Sequence, residues 1–291
     1  MNGISTSGPL PILVFGRNGQ LARELARQAE VTCLGQAEVD LAKPGLAAAA
    51  VAQLRPAMVI NAAAYTAVDQ AETDAALAHR LNAAAPREMA LACAAQRIPF
   101  LHVSTDYVFD GRGTAPWRET DRPAPCNCYG ATKLAGEAMI AAVGGHWAVL
   151  RTSWVFSAHG TNFVKTMLRL SETRDALSVV GDQVGGPTPA ADIAATLLAM
   201  GRQMRAGAPG GIYHYAGAPD VSWAGFAREI FARAGRAVTV TEIGTEDWPT
   251  PAARPRNSRL DCGLLKAEFG IARPDWRAGL DAVLDELGVM A

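Results

Sequence analysis

The 291-residue sequence predicts an α/β fold: a doubly wound parallel sheet covered by helices on both faces, with a smaller C-terminal part interleaved with it. Three observations lead there. From Pro11 onward short apolar runs alternate with longer helix-like segments, a glycine turn separates the first run from the first helix, and neither a repeat nor a linker divides the chain. A chain of this length can bury a large apolar core.

The first run, Ile12–Phe15, reads as a buried strand and leads through Gly16-Arg17-Asn18-Gly19 into an amphipathic helix ending near Gln28. Gly16 and Gly19, with Ala22 in the third small position, suit a tight turn that lets the backbone approach a pyrophosphate at the helix N-terminus. Such a pattern is weak alone, and its place between strand and helix strengthens it. Val31–Leu34 is the second strand. An acidic residue that would hold a ribose diol is expected after it; Gly35-Gln36 stands there instead. A helix over about 44–54, a strand at Met58–Asn61 ending in Ala62-Ala63-Ala64, and an Ala-rich helix through Gln96 follow. Asp69, Glu72 and Asp74 precede that helix, where its dipole favours acids. Pro99–Val103 is the fourth strand and the stretch 147–156 the fifth. The second half adds helices over about 163–172, 190–205 and 222–234, with strands at 177–180 and 211–216.

The stretch from Val103 to Glu137 carries the chemistry. Tyr129 and Lys133 are four apart in a segment whose helix is expected from Thr132 to Val143, so phenol and ammonium share a face. A nearby cation pulls a phenol's pKa down from about 10 and makes it a proton donor or acceptor. Ser104-Thr105 ends a strand, which delivers a hydroxyl to the sheet's carboxyl edge. A Tyr-x-x-x-Lys pair also arises by chance on helices, and a strand-end Ser-Thr is often a cap. Arg254-Pro-Arg256-Asn-Ser258-Arg259 forms a basic turn suited to phosphate oxygens; an ordinary solvated loop is the competing reading.

Composition excludes several classes. Net charge is −1 and the pI near 6.5, which offers no basic field for nucleic acid or a membrane surface. Five scattered cysteines make no disulfide framework, and Cys126-x-Cys128 lacks a second metal-binding pair. The first ten residues show no leader pattern and no stretch has the roughly 18 apolar residues of a spanning helix. A cytoplasmic protein is expected.

Together and in order, the glycine turn, NAAAYTAVDQAE, STDYVFDG, YGATK, RTSWVF, NFVKTMLRL, GDQVGGPT and RPRNSRL resemble the extended short-chain dehydrogenases/reductases, and within them the dTDP-4-dehydrorhamnose reductases, from about Ile12 to Leu260. The resemblance implies a Rossmann-type NAD(P)-binding part, mainly 11–155, and a sugar-nucleotide part, mainly 156–291. It implies reduction of the 4-keto group of dTDP-4-dehydro-L-rhamnose by NADPH or NADH to dTDP-L-rhamnose, for polysaccharide biosynthesis. Tyr129 would donate the proton, Lys133 lower its pKa and bond the nicotinamide ribose, and Thr105 steady the developing alkoxide. Cofactor contacts are implied for Gly16, Gly19, Gln20, Leu21, Asp40, Leu41, Ala63, Ala64 and Tyr65, besides Tyr129 and Lys133. Substrate contacts are implied for Thr105, Asp106, Trp154, Asn162, Arg256, Asn257 and Arg259.

Two departures from the family pattern stand out. The missing acid after the second strand points to NADPH preference or dual use. Some relatives dimerise through Mg2+ held by glutamates; Glu24 fits one such position, but Ala191 stands where a second acid is expected, so no metal ligands are assigned and a monomer is the default. A reductase or epimerase of a related deoxysugar nucleotide remains an alternative, as does a non-catalytic regulatory subunit of the same fold.

Overall fold

The computed structural model describes residues 12–291. The leader-free reading of the first ten residues, and Pro11 as the start of the cofactor part, lie outside them. The first half runs β1 (Ile12–Phe15), α1 (Gln20–Gln28), β2 (Val31–Leu34), α2 (Leu46–Leu54), β3 (Met58–Asn61), α3 (Ala75–His79), α4 (Ala85–Gln96), β4 (Phe100–Thr105), α5 (Cys128–Val143) and β5 (Trp147–Thr152). The second runs β6 (Val155–Phe156), α6 (Phe163–Ser171), β7 (Ala176–Val180), β8 (Val184–Gly185), β9 (Thr188–Pro189), α7 (Ala190–Arg205), β10 (Gly211–His214), β11 (Val221–Ser222), α8 (Trp223–Arg233), β12 (Thr239–Ile243), β13 (Asn257–Ser258), α9 (Gly263–Phe269) and α10 (Trp276–Glu286).

Six strands form one sheet in the order β10-β5-β4-β3-β1-β2, and every neighbouring pair is parallel. This is the predicted fold class. The apolar runs are explained by burial on both faces. Val14 and Ile60 point into the core shared with α1 and α7, while Leu13, Phe15 and Val59 point into the core shared with α2, α4 and α5. A third core, centred on Phe226, Ile230, Trp276 and Leu280, belongs to the second half. Because β10 completes the central sheet from within that half, the two halves are interlaced.

The strand order reverses between β1 and β3, which opens a crevice at the strands' carboxyl ends. Gly16 has φ of +105°, and a Cβ there would lie 3.3 Å from the Ala62 carbonyl carbon and the Ala63 nitrogen. Only glycine suits both the angle and the approach of the two loops.

Three elements differ from the sequence expectation. Helix α5 begins at Cys128 instead of Thr132, because Asn127 caps it by accepting the Gly130 N–H at 2.8 Å. Tyr129 therefore stands in the first turn. Residues 147–156 are not one strand: the backbone turns at Trp154, with φ of +50°, and Val155–Phe156 pairs with β9. Ser153 holds that departure by donating to the Gly186 carbonyl. The Ala-rich helix contains a π-helical turn, Arg80–Ala84, between α3 and α4. Among the described residues no helix is long and apolar enough to cross a membrane.

Candidate active site

A cavity of about 690 Å³ opens at the sheet's carboxyl edge. The first turn supplies Asn18, Gly19, Gln20 and Leu21; the end of β3 supplies Ala62, Ala63 and Ala64; β4 and its following turn supply Thr105 and Asp106; α5 supplies Tyr129 and Lys133. A Cβ on Gly19 would meet nothing within 4 Å, so the space before the N-terminus of α1 is open. That is the cradle a pyrophosphate needs, and the residues fit a dinucleotide.

The polar groups of this cavity are buried, and burial sets their ionisation. Thr105 is 6% and Asp106 3% exposed. The Thr105 hydroxyl donates to Asp106 Oδ1 at 3.1 Å and accepts the Tyr107 N–H at 3.2 Å. Asp106 Oδ2 and the Ser258 hydroxyl each lack a hydrogen-bond partner, and burial pushes this carboxyl up to about 7 against the pull of the nearby Ser258 and Thr105 hydroxyls. Burial likewise raises Tyr129 to about 12, with Thr105 pulling the other way, and lowers Lys133 to about 8, with Glu137 opposing. The expected lowering of the phenol by Lys133 is thus not what the structure gives. Desolvation disfavours the charged form of both groups, and the lysine is drawn toward the sheet, where Nζ donates to the Val103 carbonyl at 2.6 Å.

Beneath Lys133 lies an ion pair with almost no solvent. Arg151 Nη2 donates to Glu137 Oε2 at 2.6 Å, and Nε to Oε1 at 3.0 Å; the Ser104 hydroxyl donates to Oε1 at 2.5 Å. The pair ties α5 to β4 and β5. Asn82, at the π-helical turn, clamps Tyr65 by accepting its N–H and donating to its carbonyl, and also donates to Thr132 Oγ1. This fixes the loop after β3 against α5. A π-helical turn often marks such a functional position, but its residues, RLNAA, read as ordinary helix.

Trp154 lines the cavity and stacks on Trp223, centroids 3.5 Å apart, which offsets the strain of its positive φ. Other expected residues stand back from the wall. The Tyr65 hydroxyl donates to Asp74. Asp40 caps its own turn at Ala42, and Leu41 follows it in the loop after β2. Asn162 caps α6 and donates to Gln20 Oε1 at 2.9 Å, so it supports a wall residue. Asn257 is buried and holds the carbonyls of Arg112 and Ala115. Arg256 is exposed and pairs with Glu246 and Asp182, and Arg259 leans on Asn257 and Asp220.

A second cavity of about 730 Å³ shares Tyr107, Phe163 and Trp223 with the first and is also lined by Arg174, Gln183, Trp248 and Arg254. The basic turn thus reaches a cavity through Arg254, which is braced by Asp69 at 2.8 Å, and not through Arg256 or Arg259. Trp248 is 59% exposed, unusual for so large an apolar ring and a signal for a stacking surface. Arg17, missed in the sequence reading, folds back from the glycine turn onto the Cys33 carbonyl and pairs with Glu38 in the loop after β2, whose other carboxylate oxygen accepts the Gly35 N–H.

The family model of the RmlD substrate binding domain matches residues 10–289. The chain belongs to this family. It is 44% identical over 298 residues to the dTDP-4-dehydrorhamnose reductase of Burkholderia thailandensis, covering 96% of this chain and 99% of that protein. Among solved structures it is similar to the dTDP-4-dehydrorhamnose reductase of Clostridium acetobutylicum, with TM-score 0.90 and 36% identity over 96% of this chain and 100% of that one. The Bacillus anthracis dTDP-4-dehydrorhamnose reductase, determined in complex with NADP, gives TM-score 0.89 and 34% identity over the same shares. The resemblance in the motifs is therefore borne out.

The Mg2+ position implied by some relatives does not fit this chain. Glu24 Oε1 faces Arg27 at 3.5 Å and His159 at 3.4 Å, Arg27 also pairs with Glu286, and Ala191 offers only a carbonyl, which accepts from Gln28. Among the described residues no group of three or more His, Cys, Asp or Glu is placed to hold a metal ion.

Proposed function

We propose that this chain reduces the 4-keto group of dTDP-4-dehydro-L-rhamnose to dTDP-L-rhamnose with NADPH or NADH, Tyr129 serving as proton donor. The observation that carries this reading is one cavity whose wall joins the glycine turn of a dinucleotide site to Thr105, Tyr129 and Lys133. The bound nicotinamide supplies the hydride that attacks C4. Tyr129 gives its phenolic proton to the carbonyl oxygen as charge builds there, so hydride and proton together turn the ketone into an alcohol. Thr105 donates a hydrogen bond to the same oxygen, and Lys133 bonds the nicotinamide ribose.

In this reading 11–155 mainly hold the cofactor and 156–291 mainly hold the sugar nucleotide. Asp106 and Trp154 grip the sugar. Arg254 and Arg174 face the diphosphate and Trp248 offers its ring to the base, whereas the sequence reading gave phosphate oxygens to the whole Arg254–Arg259 turn. Arg17, at the glycine turn, is held by Glu38 and the Cys33 carbonyl, and would accept a 2′-phosphate only by leaving that carboxylate.

The test is oxidation of NADPH and NADH with dTDP-4-dehydro-L-rhamnose generated in place, against a control without substrate. Substrate-dependent oxidation, at least as fast with NADPH as with NADH, is expected. No oxidation with either cofactor by folded protein would refute the reading and favour a different sugar nucleotide or a regulatory role.

A further inference from the structure

His102 sits on β4, fully buried, with both ring nitrogens against side chains. Nδ1 lies 3.0 Å from Asn61 Nδ2 and Nε2 lies 3.1 Å from Lys133 Nζ. The Ala63 N–H donates to Asn61 Oδ1 at 3.1 Å, which fixes the amide. Its oxygen faces Ala63, so its nitrogen, a donor, faces the histidine; the flipped amide would set two donors against each other. Nδ1 must then accept and carries no proton. An imidazolium is excluded on the same ground, since both its nitrogens donate. The one ring proton is on Nε2 and points at Lys133.

An ammonium has three donors and no acceptor, so it cannot complete a hydrogen bond with that N–H, whereas a neutral amine offers a lone pair to it. We propose that His102 is a positioning residue that, through the Asn61 amide, holds Lys133 as the neutral amine and ties the lysine's charge to the Ala63 backbone on the cofactor-cavity wall. Charging Lys133 requires the ring proton to move to Nδ1 and the Asn61 amide to turn over, which breaks the Ala63 bond. The other groups facing Lys133 leave this logic intact. The Val103 carbonyl accepts from amine and ammonium alike, Tyr129 one turn back has its phenol held neutral by burial, and the Glu137 carboxylate one turn on is engaged by Arg151 and Ser104. Burial brings the ammonium near neutral pH, and the opposed N–H adds to that effect. Lys133 would therefore act as an amine that gains charge when cofactor or substrate supplies an acceptor, instead of as a standing cation.

This deepens the reductase reading and rests on it for the meaning of Lys133, but its test needs no substrate. The chain has four lysines and five histidines, few enough to label lysine Cε with 13C and the imidazoles with 15N and follow each by NMR. Wild-type His102 is expected with its proton on Nε2, and one lysine, identified by its loss in Lys133→Met, is expected to titrate at or below about 8. In His102→Gln, whose side-chain oxygen can turn to accept from an ammonium, that midpoint should rise by about one pH unit or more, a tenfold change. Asn61→Leu, which frees Nδ1 to carry the proton, should raise it as well. A wild-type His102 protonated on Nδ1 would overturn the proposal, as would a midpoint unmoved in both variants; the tautomer decides if neither variant folds. Failure here would leave the reductase assay unaffected, and a failed assay would leave the tautomer unchanged.

Discussion

At the Tyr129 end of the cleft the polar groups are buried and rest on partners of fixed orientation, such as Glu137 on Arg151 and Asn61 on Ala63. At the Trp248 end Arg254 is half-buried, Arg174 is exposed and Trp248 is largely open to solvent. The first end suits a reaction, which needs groups held in place and ionisation set by burial. The second suits recognition of a flexible, charged ligand, where exposed side chains close around what arrives.

Substitutions that break this contrast should rank by how much solvent the group sees. Glu137→Ala leaves the Arg151 guanidinium buried without its carboxylate and should cost about 3–5 kcal/mol in denaturant unfolding. Asp106→Asn should act in the opposite sense. The folded carboxyl titrates at about 7 against about 3.9 unfolded, so the native state binds the proton more tightly and stability falls as pH rises between those values. The asparagine variant should melt higher than wild type at pH about 8, by on the order of a few kcal/mol, with the gain shrinking toward pH about 4. Its KM for the sugar nucleotide should rise, because Asp106 lines the cavity and one of its two carboxylate oxygens is lost.

Smaller effects separate the two arginines of the basic turn. Arg254→Ala should raise KM about tenfold, near 1.4 kcal/mol, with little change in kcat. Arg256→Ala removes only exposed ion pairs and should change stability by less than about 1 kcal/mol and KM hardly at all. Equal KM effects would erase the distinction drawn between them.

The same contrast explains what was legible in the sequence. Strands β1 and β3 and the Gly16–Gly19 turn were readable because continuous apolar runs and a glycine turn are local consequences of burial and backbone approach. Tyr129 and Lys133 were readable because helical spacing alone puts them on one face. The start of α5 was not, since it depends on a cap by Asn127 in a segment, CNCYG, of modest helix propensity. The end of β5 was missed because SWVF has strand composition, while the bond from Ser153 to Gly186 that turns it away is long-range. Trp248, Asn82 and His102 became site residues only through segments distant in sequence, and no periodicity records such contacts.

The measurement that bears most directly on the account is turnover of Tyr129→Phe, with NADPH affinity measured on the same protein. Turnover lower by about 10²–10⁴-fold with unchanged cofactor affinity is the predicted result. Near-normal turnover in that variant would contradict Tyr129 as the proton donor and, with it, the mechanism proposed for this cleft.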